Sequence, residues 1–550
     1  MTRRMPVTMW ASVIALSLAA SVPGIANGFA FDDVHIIVDD NRKHSLAQWW
    51  HLFAQSYWPY EKGGDLYRPV TMLGFAIQWA LGGGAPLLFH VVSIALYALV
   101  CATFFGILLE LLPAGAAWLG AALFAVHPLH VEAVGNVVGQ AELLAALFMF
   151  LALLVFLRSR RHGNVSVRDT CVIAVLYVLG CLSKEHAIVL PLLLLAAEMT
   201  VLTAERPLRA RLAAIRPLIL VLAATGLAFF WVRLQVLGSA TAASDESNAL
   251  LAGQSFGIRV MTMLRVLLEW VRLFFWPAHL SADYSPRAIE VVTGPSLEML
   301  ASAAILIGFT GLAWISRRSA PATAFAFLWV VTALLIPSNL VVPTGFGLAE
   351  RTLFVASGGA VLGAVAVVTH LTHRGATLSG QARYVAFAVV GVLLVLGLAR
   401  SGLRQRIWRD NDTLFAQTVE DAPASYKAHV AYAAVLFQHQ RRKEAFEELK
   451  IAHALFPTDP FVLEYAAEEY SRTEGCNRGV PLFRRVLAEH PERDRSRIGL
   501  AACLIAMGHH AEARTTIKQG FAVGNSRGPF AQLMSINDST DDSLRLRKRN

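Results

Sequence analysis

The chain has 550 residues, 55% of them hydrophobic and 16% charged, with a net charge of +9. Soluble domains carry about 25% charged residues, so the deficit excludes an ordinary soluble globular protein and points to long stretches in lipid. The basic excess lies in short runs between apolar segments, which argues against nucleic acid as a partner and fits Lys and Arg gathered on the cytoplasmic side of a bilayer.

Arg3 and Arg4 precede an apolar run from Val7 to Gly28. The run lacks a good small-residue cleavage site, so it reads as a retained first helix rather than a signal peptide. The basic residues ahead of it set the N-terminus in the cytoplasm. Further apolar runs lie at 86–110, 114–130, 140–157, 168–182, 187–203, 215–237, 295–315, 321–340, 351–370 and 383–400. Together they predict an all-α polytopic bundle of about eleven spans. Alternating the spans puts four basic clusters inside: Arg158 to Arg168, Arg206 to Arg216, Arg317 with Arg318, and Arg374 with Arg383. The apolar stretch 256–279 is interrupted by Arg259, Arg265, Glu269 and Arg272, so it reads as an interfacial or re-entrant helix. An odd number of spans leaves the C-terminus outside. Of the cysteines, Cys101, Cys171 and Cys181 fall in apolar runs and Cys476 and Cys503 in the tail, with no metal or redox spacing.

Residues 1–403 thus form the membrane domain, 404–424 a linker, and 425–534 a helical-repeat domain. Pro457 and Pro491 are 34 residues apart, the tetratricopeptide period. Tyr432, Ala433, Leu436, Ala445, Leu449 and Ala452 mark one unit, and Leu463, Ala466, Ala467, Tyr470 and Phe483 a second. A fainter third unit carries Leu500, Ala501, Leu504 and Ala513. The polar residues 535–550 are expected to be a disordered tail.

Chemistry gathers in the loops assigned to the outer face. Phe31-Asp32-Asp33-Val34-His35 follows the first span. Tyr67-Arg68-Pro69 precedes an amphipathic run. His127, His130 and Glu132 follow the third span, with Gln140 and Glu142 beyond. Lys184 and Glu185 sit between two later spans, Asp283 lies in a long outer segment, and Glu350-Arg351 opens another span. Ionisable groups at membrane depth are costly and mark function. Taken singly, each has an ordinary alternative: His127 and His130 read equally well as satisfied polar groups at a helix end, and Lys184 and Glu185 as side chains reaching for water. Glu132 has no third ligand at metal spacing, so no metal site is assigned. Taken together, acids for base chemistry and cations for an anion suit transfer from a lipid phosphate. A lipid or sugar transporter would distribute charges along a central cavity, and a membrane-anchored repeat scaffold would need few spans.

At these motifs the sequence resembles the transmembrane and tetratricopeptide repeat-containing O-mannosyltransferases. Phe31-Asp32-Asp33-Val34-His35 is similar to the acidic motif of protein O-mannosyltransferases, with Asp33 where Glu is usual. Tyr67 to Thr71, Leu123 to Val134, Gln140 to Leu144, Leu182 to Glu185, Leu280 to Ser285, Ala349 to Arg351 and Trp408 to Asp410 follow the family order. Gln140 departs from the Arg frequent in relatives, and the repeat array is short. The resemblance implies a glycosyltransferase C fold and inverting transfer of a sugar, mannose, from a polyprenyl-phosphate donor to a protein hydroxyl or other acceptor. Asp32 and Asp33 would be catalytic. Arg68, His127, His130, Glu132, Gln140, Glu142, Lys184, Glu185, Asp283, Glu350 and Arg351 would bind substrate. The resemblance leaves a divalent cation open as a cofactor, and the setting expected is a bacterial inner membrane with the site on the periplasmic side.

Overall fold

The computed structural model describes residues 7–59, 66–202, 207–238, 251, 253–285, 288–341, 347–373, 380–457, 459–523 and 527–547. Arg3, Arg4, Arg206 and Arg374 of the basic clusters lie outside them. Among the described residues all regular structure is helical. The chain divides into two units: Met1–Tyr284 with Ile289–Asp421, and Ser285–Ala288 with Ala422–Asn550.

Among the described residues of the first unit, seven helices are long and apolar enough to cross a membrane: Val7–Gly24, Pro86–Leu111, Val137–Arg161, Arg209–Leu237, Leu297–Ser316, Glu350–Thr372 and Tyr384–Arg409. An eighth arises if Ala114–Ala125 and Pro128–Gly135, bent by 50°, count as one span. The three other expected spans are shorter helices: Val167–Ser183 with 17 residues, Leu190–Thr200 with 11 and Pro321–Ala333 with 13. The last two stop early for local reasons. A 3-10 turn, Glu185–Val189, occupies the start of one run. The other breaks into turns before Pro337 and the left-handed Asn339, whose φ is 56°. Phe256–Phe275 is a separate helix outside the spanning set.

Lipid provides little hydrophobic drive between helices, so close packing must hold them. A Cβ on Gly359 would stand 3.0 Å from the Ala326 carbonyl, so Phe354–His373 and Pro321–Ala333 meet nearly backbone to backbone. Beside that contact, the Phe104 and Phe124 rings meet at 4.5 Å, tilted by 37°, and the Trp329 indole donates to the Val355 carbonyl at 2.9 Å.

The expected linker is part of this unit. Trp408 is buried, Asn411–Asp421 is a helix, and Arg404 pairs with Asp421. The boundary therefore falls after Asp421, because these polar residues find partners within the first unit.

The second unit has three antiparallel helix pairs: Tyr426–Gln438 with Arg442–Leu455, Pro460–Thr473 with Cys476–Glu489, and Asp494–Ala506 with His510–Val523. All three expected repeats are present. Asp459 caps the second pair by accepting from the Val462 amide at 3.0 Å, and it takes the Tyr426 hydroxyl at 2.7 Å, joining successive repeats. Cys476 and Cys503 form a disulfide between adjacent repeats, which the sequence reading did not foresee. The expected tail is corrected as well: Arg527–Arg547 is a helix. Phe530 anchors its start, fully buried with Ala501 and Ile517, and so gives a polar segment an apolar foothold.

Phe483 is buried among Ala467, Val480, Leu500 and Leu504. Phe483→Ala should cost roughly 3–5 kcal/mol and lower the melting temperature of the repeats. An unchanged melting curve would contradict this packing.

Candidate functional site

The site begins at a strained residue. Phe31 has φ 57°, in the left-handed region that bulky residues rarely adopt. Its amide donates to Asn411 Oδ1 at 2.7 Å, and its ring meets Trp408 and Phe415 edge-on at 6.3 and 5.9 Å. Immediately after the acids, Val34–Val38 winds as a π-helix, with the Asp39 amide bonded to the Val34 carbonyl. Such turns recur at functional sites.

This backbone gives the two acids different surroundings. Asp33 is buried and accepts from the amides of Val138 at 2.8 Å, Val137 at 3.1 Å and Ala30 at 3.5 Å. Burial pushes its pKa up to about 7, against the pull of those amides and with the Asp32 charge adding to the rise. Its oxygens are occupied by backbone amides, so it holds the loop. Asp32 is partly exposed and, among the described residues, has no hydrogen-bond or ion-pair partner. Burial raises its pKa; Arg351 opposes that rise, Glu132 adds to it, and His35 and Arg68 oppose it.

Around Asp32 each cation is held by its own acid. Arg351 pairs with Glu132, whose other oxygen accepts the Arg351 amide at 2.7 Å. Lys184 pairs with Glu142, which also lies 3.2 Å from His186 Nε2. The Arg68 Nε donates to Glu185 at 2.9 Å, and Glu185 takes the Tyr67 amide at 2.9 Å. Among the described residues that Nε bond is the one hydrogen bond of the Arg68 side chain, which leaves both terminal nitrogens for a ligand. Its guanidinium lies over the Tyr57 ring, 5.0 Å from the centroid. Burial lowers the pKa of Lys184, though Glu142 opposes the fall, and burial takes His186 down to about 4.

Glu350 is buried and turned aside, accepting from the Ser281 amide at 2.6 Å and the Tyr284 hydroxyl at 2.7 Å. Asp283 sits in that same turn, where its carbonyl accepts from Ser281 Oγ at 2.9 Å.

Three of the expected ligands are hydrogen-bonded within the bundle. Gln140 exchanges amide bonds with Gln78 at 2.9 Å and donates to the Phe89 carbonyl and Ser93. His127 bonds the Phe274 carbonyl with one ring nitrogen and accepts the Leu129 amide with the other. His130 is fixed between the Tyr97 and Ser357 hydroxyls, at 2.9 and 2.8 Å. Their polar atoms serve the bundle.

The sequence reading missed Tyr57 and Asn136. The Tyr57 hydroxyl and both polar atoms of the Asn136 amide are buried without a partner among the described residues. Nothing in their sequence neighbourhood marks them, since the signal is the unmet hydrogen-bonding capacity. Among the described residues no group of three or more His, Cys, Asp or Glu side chains comes together as a metal site.

Over 64% of the chain there is 28% identity with protein O-mannosyl-transferase TMTC3 of Mus musculus, covering 41% of that protein. Over 76% of the chain there is 29% identity with protein O-mannosyl-transferase TMTC4 of Homo sapiens, covering 62% of it. The chain's curated homologues are protein O-mannosyl-transferases. It spans about 41% to 62% of the length of these two O-mannosyl-transferases. Residues 477–535 match the family model of a tetratricopeptide repeat. Among solved structures, the archaeal oligosaccharyltransferase AglB from Archaeoglobus fulgidus, determined with an inhibitory peptide and a dolichol-phosphate, aligns at a TM-score of 0.42 and 16% identity, over 72% of this chain and 56% of that one.

Two substitutions test the Asp33 anchor. Asp33→Asn puts an NH2 group where amides now donate and should cost about 1–3 kcal/mol. In Gly139→Ala the new Cβ would lie 2.4 Å from the Ala133 carbonyl and displace the loop that Asp33 holds. Both variants should melt earlier in detergent. Wild-type melting of Asp33→Asn would mean that the three amide bonds contribute nothing.

Proposed function

We propose that the protein is a membrane glycosyltransferase that transfers a sugar, mannose, from a polyprenyl-phosphate donor to a protein hydroxyl on the non-cytoplasmic side. The observation that carries this reading is the contrast between the two acids. Asp33 is consumed by backbone amides, while among the described residues Asp32 has no hydrogen-bond partner and stands next to the charges of Arg351 and Arg68. The names of the relatives support the reaction class and the sugar.

In this mechanism Asp32 takes the proton from the acceptor hydroxyl as the oxygen attacks the anomeric carbon. The bond to the donor phosphate breaks on the opposite face of the sugar. Negative charge grows on the leaving phosphate, so fixed cations stabilise the transition state more than the ground state. Arg68 is best prepared to supply them, with its terminal nitrogens uncommitted, and Lys184 and Arg351 add positive charge nearby. The acids bonded to these three residues hold them in place before the donor arrives. For a divalent cation, the reading offers Asp32 and the donor phosphate as ligands; activity that survives chelation removes that role.

The repeats present the protein acceptor, since stacked helix pairs form surfaces suited to extended peptides. The same reading sets the enzyme in a bacterial inner membrane with the site and repeats facing the periplasm. The basic loops support that side, as does the Cys476–Cys503 disulfide, because such bonds persist in oxidising compartments.

The direct test is incubation of the purified protein with a panel of polyprenyl-phosphate sugars and candidate acceptors, read by mass spectrometry. Asp32→Asn should reduce transfer about 10²–10⁴-fold while donor binding persists; full turnover in a folded Asp32→Asn protein would end the base assignment. A base works only when ionised, and burial holds the Asp32 carboxyl above the ordinary aspartate range. Transfer should therefore fall on acidification through a pKa higher than an ordinary aspartate's, and that acid limb should vanish from the residual rate of Asp32→Asn.

Arg68→Lys replaces a planar fork with a point charge. It should weaken donor binding about tenfold, measured by titration with the donor. Unchanged affinity would shift the phosphate to Lys184 and Arg351.

A further inference from the structure

A second charged cluster lies at the far end of the helix that carries Glu142. Gln140–Arg161 begins near Glu142 and ends in Arg158, Arg160 and Arg161. At about 1.5 Å per residue, Glu142 and Arg160 stand about 27 Å apart, close to the hydrocarbon thickness of a bilayer, about 30 Å. The two clusters therefore sit at opposite membrane surfaces.

At the far surface, Glu198 is fully buried and grips Arg160 through two parallel bonds, Nε to Oε2 at 2.8 Å and Nη2 to Oε1 at 2.7 Å. Arg160 completes its bonding at the Gly163 carbonyl, 2.5 Å away. Arg211, near the start of Leu208–Leu237, approaches the same carboxylate, with Nε 3.5 Å from Oε1. Arg211 is only 7% exposed, yet among the described residues its Nε and Nη2 make no hydrogen bond. Two guanidinium groups thus share one carboxylate, and a positive charge with two unused donors is left inside the protein. Arg158 and Arg161 nearby in sequence are half-exposed and satisfied by Glu110, so they do not relieve it. A buried charge needs a partner. A fork of guanidinium nitrogens at a bilayer surface matches a phosphate group.

We propose that Arg211, held beside the Arg160–Glu198 pair, forms a binding site for a phosphate-bearing anion at the membrane face opposite Asp32, and that a phospholipid headgroup fills it. The lipid source follows from the location, since the cluster caps the ends of apolar spans, where headgroups are abundant. This site is independent of the sugar-transfer reading, because no residue in it touches the Asp32 cluster.

The test is native mass spectrometry of the full-length protein released from detergent, titrated with phosphatidylglycerol, phosphatidylcholine or inorganic phosphate. The wild type should retain phosphatidylglycerol in a saturable site at least fivefold more tightly than phosphatidylcholine, and phosphate at millimolar concentration should not displace it. Arg211→Gln should weaken that binding about tenfold, while Arg161→Ala, on the exposed pair, should leave it unchanged. Arg211→Lys keeps the charge and serves if Arg211→Gln does not fold; it should bind with intermediate affinity. Equal binding by wild type and both Arg211 variants would overturn the site. Full displacement by inorganic phosphate would overturn the lipid assignment.

Discussion

The end of the bundle that holds the charged cluster depends on one buried carboxylate. By accepting three backbone amides, Asp33 ties residues 30–33 to the turn at Val137 and Val138. That turn joins the short helix carrying Glu132 to the long helix carrying Glu142. Glu132 orients Arg351, and Glu142 orients Lys184. A single acid thereby sets the separation of two cation-holding acids that belong to different helices. Removing it would cost more than three hydrogen bonds, because buried amides left without an acceptor carry their own penalty.

The same anchor explains why adjacent aspartates are not equivalent. With Phe31 held in the left-handed region and a π-turn beginning at Val34, the chain has one way to seat Asp33 on the amides. Asp32 is then the acid left without a protein partner. The strain at Phe31 is offset by its amide bond to Asn411 and by the aromatic faces of Trp408 and Phe415. That places part of the support for the site in the stretch that the sequence suggested was a linker.

Much of this was legible in the sequence, and the failures have physical causes. Hydropathy located the long spans, and the spacing of small residues located the repeats, because both signals are periodic and local. Span count was less legible: a window of apolar residues does not register where a 3-10 turn at Glu185–Val189 or a left-handed Asn339 interrupts a helix. The cluster of Arg68, Lys184, Glu185 and Arg351 near Asp32 was foreseen from loop position. The pairing of each cation with an acid was not, since the partners come from distant segments, Glu132 with Arg351 and Glu142 with Lys184. Gln140, His127 and His130 stood in motif positions, yet their hydrogen bonds turn inward. Residue type alone cannot separate a polar group that binds a ligand from one that satisfies its neighbours.

The helix Gln140–Arg161 is fastened at both ends, by Glu142 to Lys184 and by Arg160 to Glu198. Most spans accommodate a thinner or thicker bilayer by tilting, at modest cost per ångström. This one cannot tilt freely without pulling on one of its ion pairs, and one of those pairs shares a charged cluster with Arg68 and Arg351. The helix is therefore a ruler of fixed length set across the bilayer, so mismatch with the surrounding lipid is transmitted to the chemistry at one end rather than absorbed along the way.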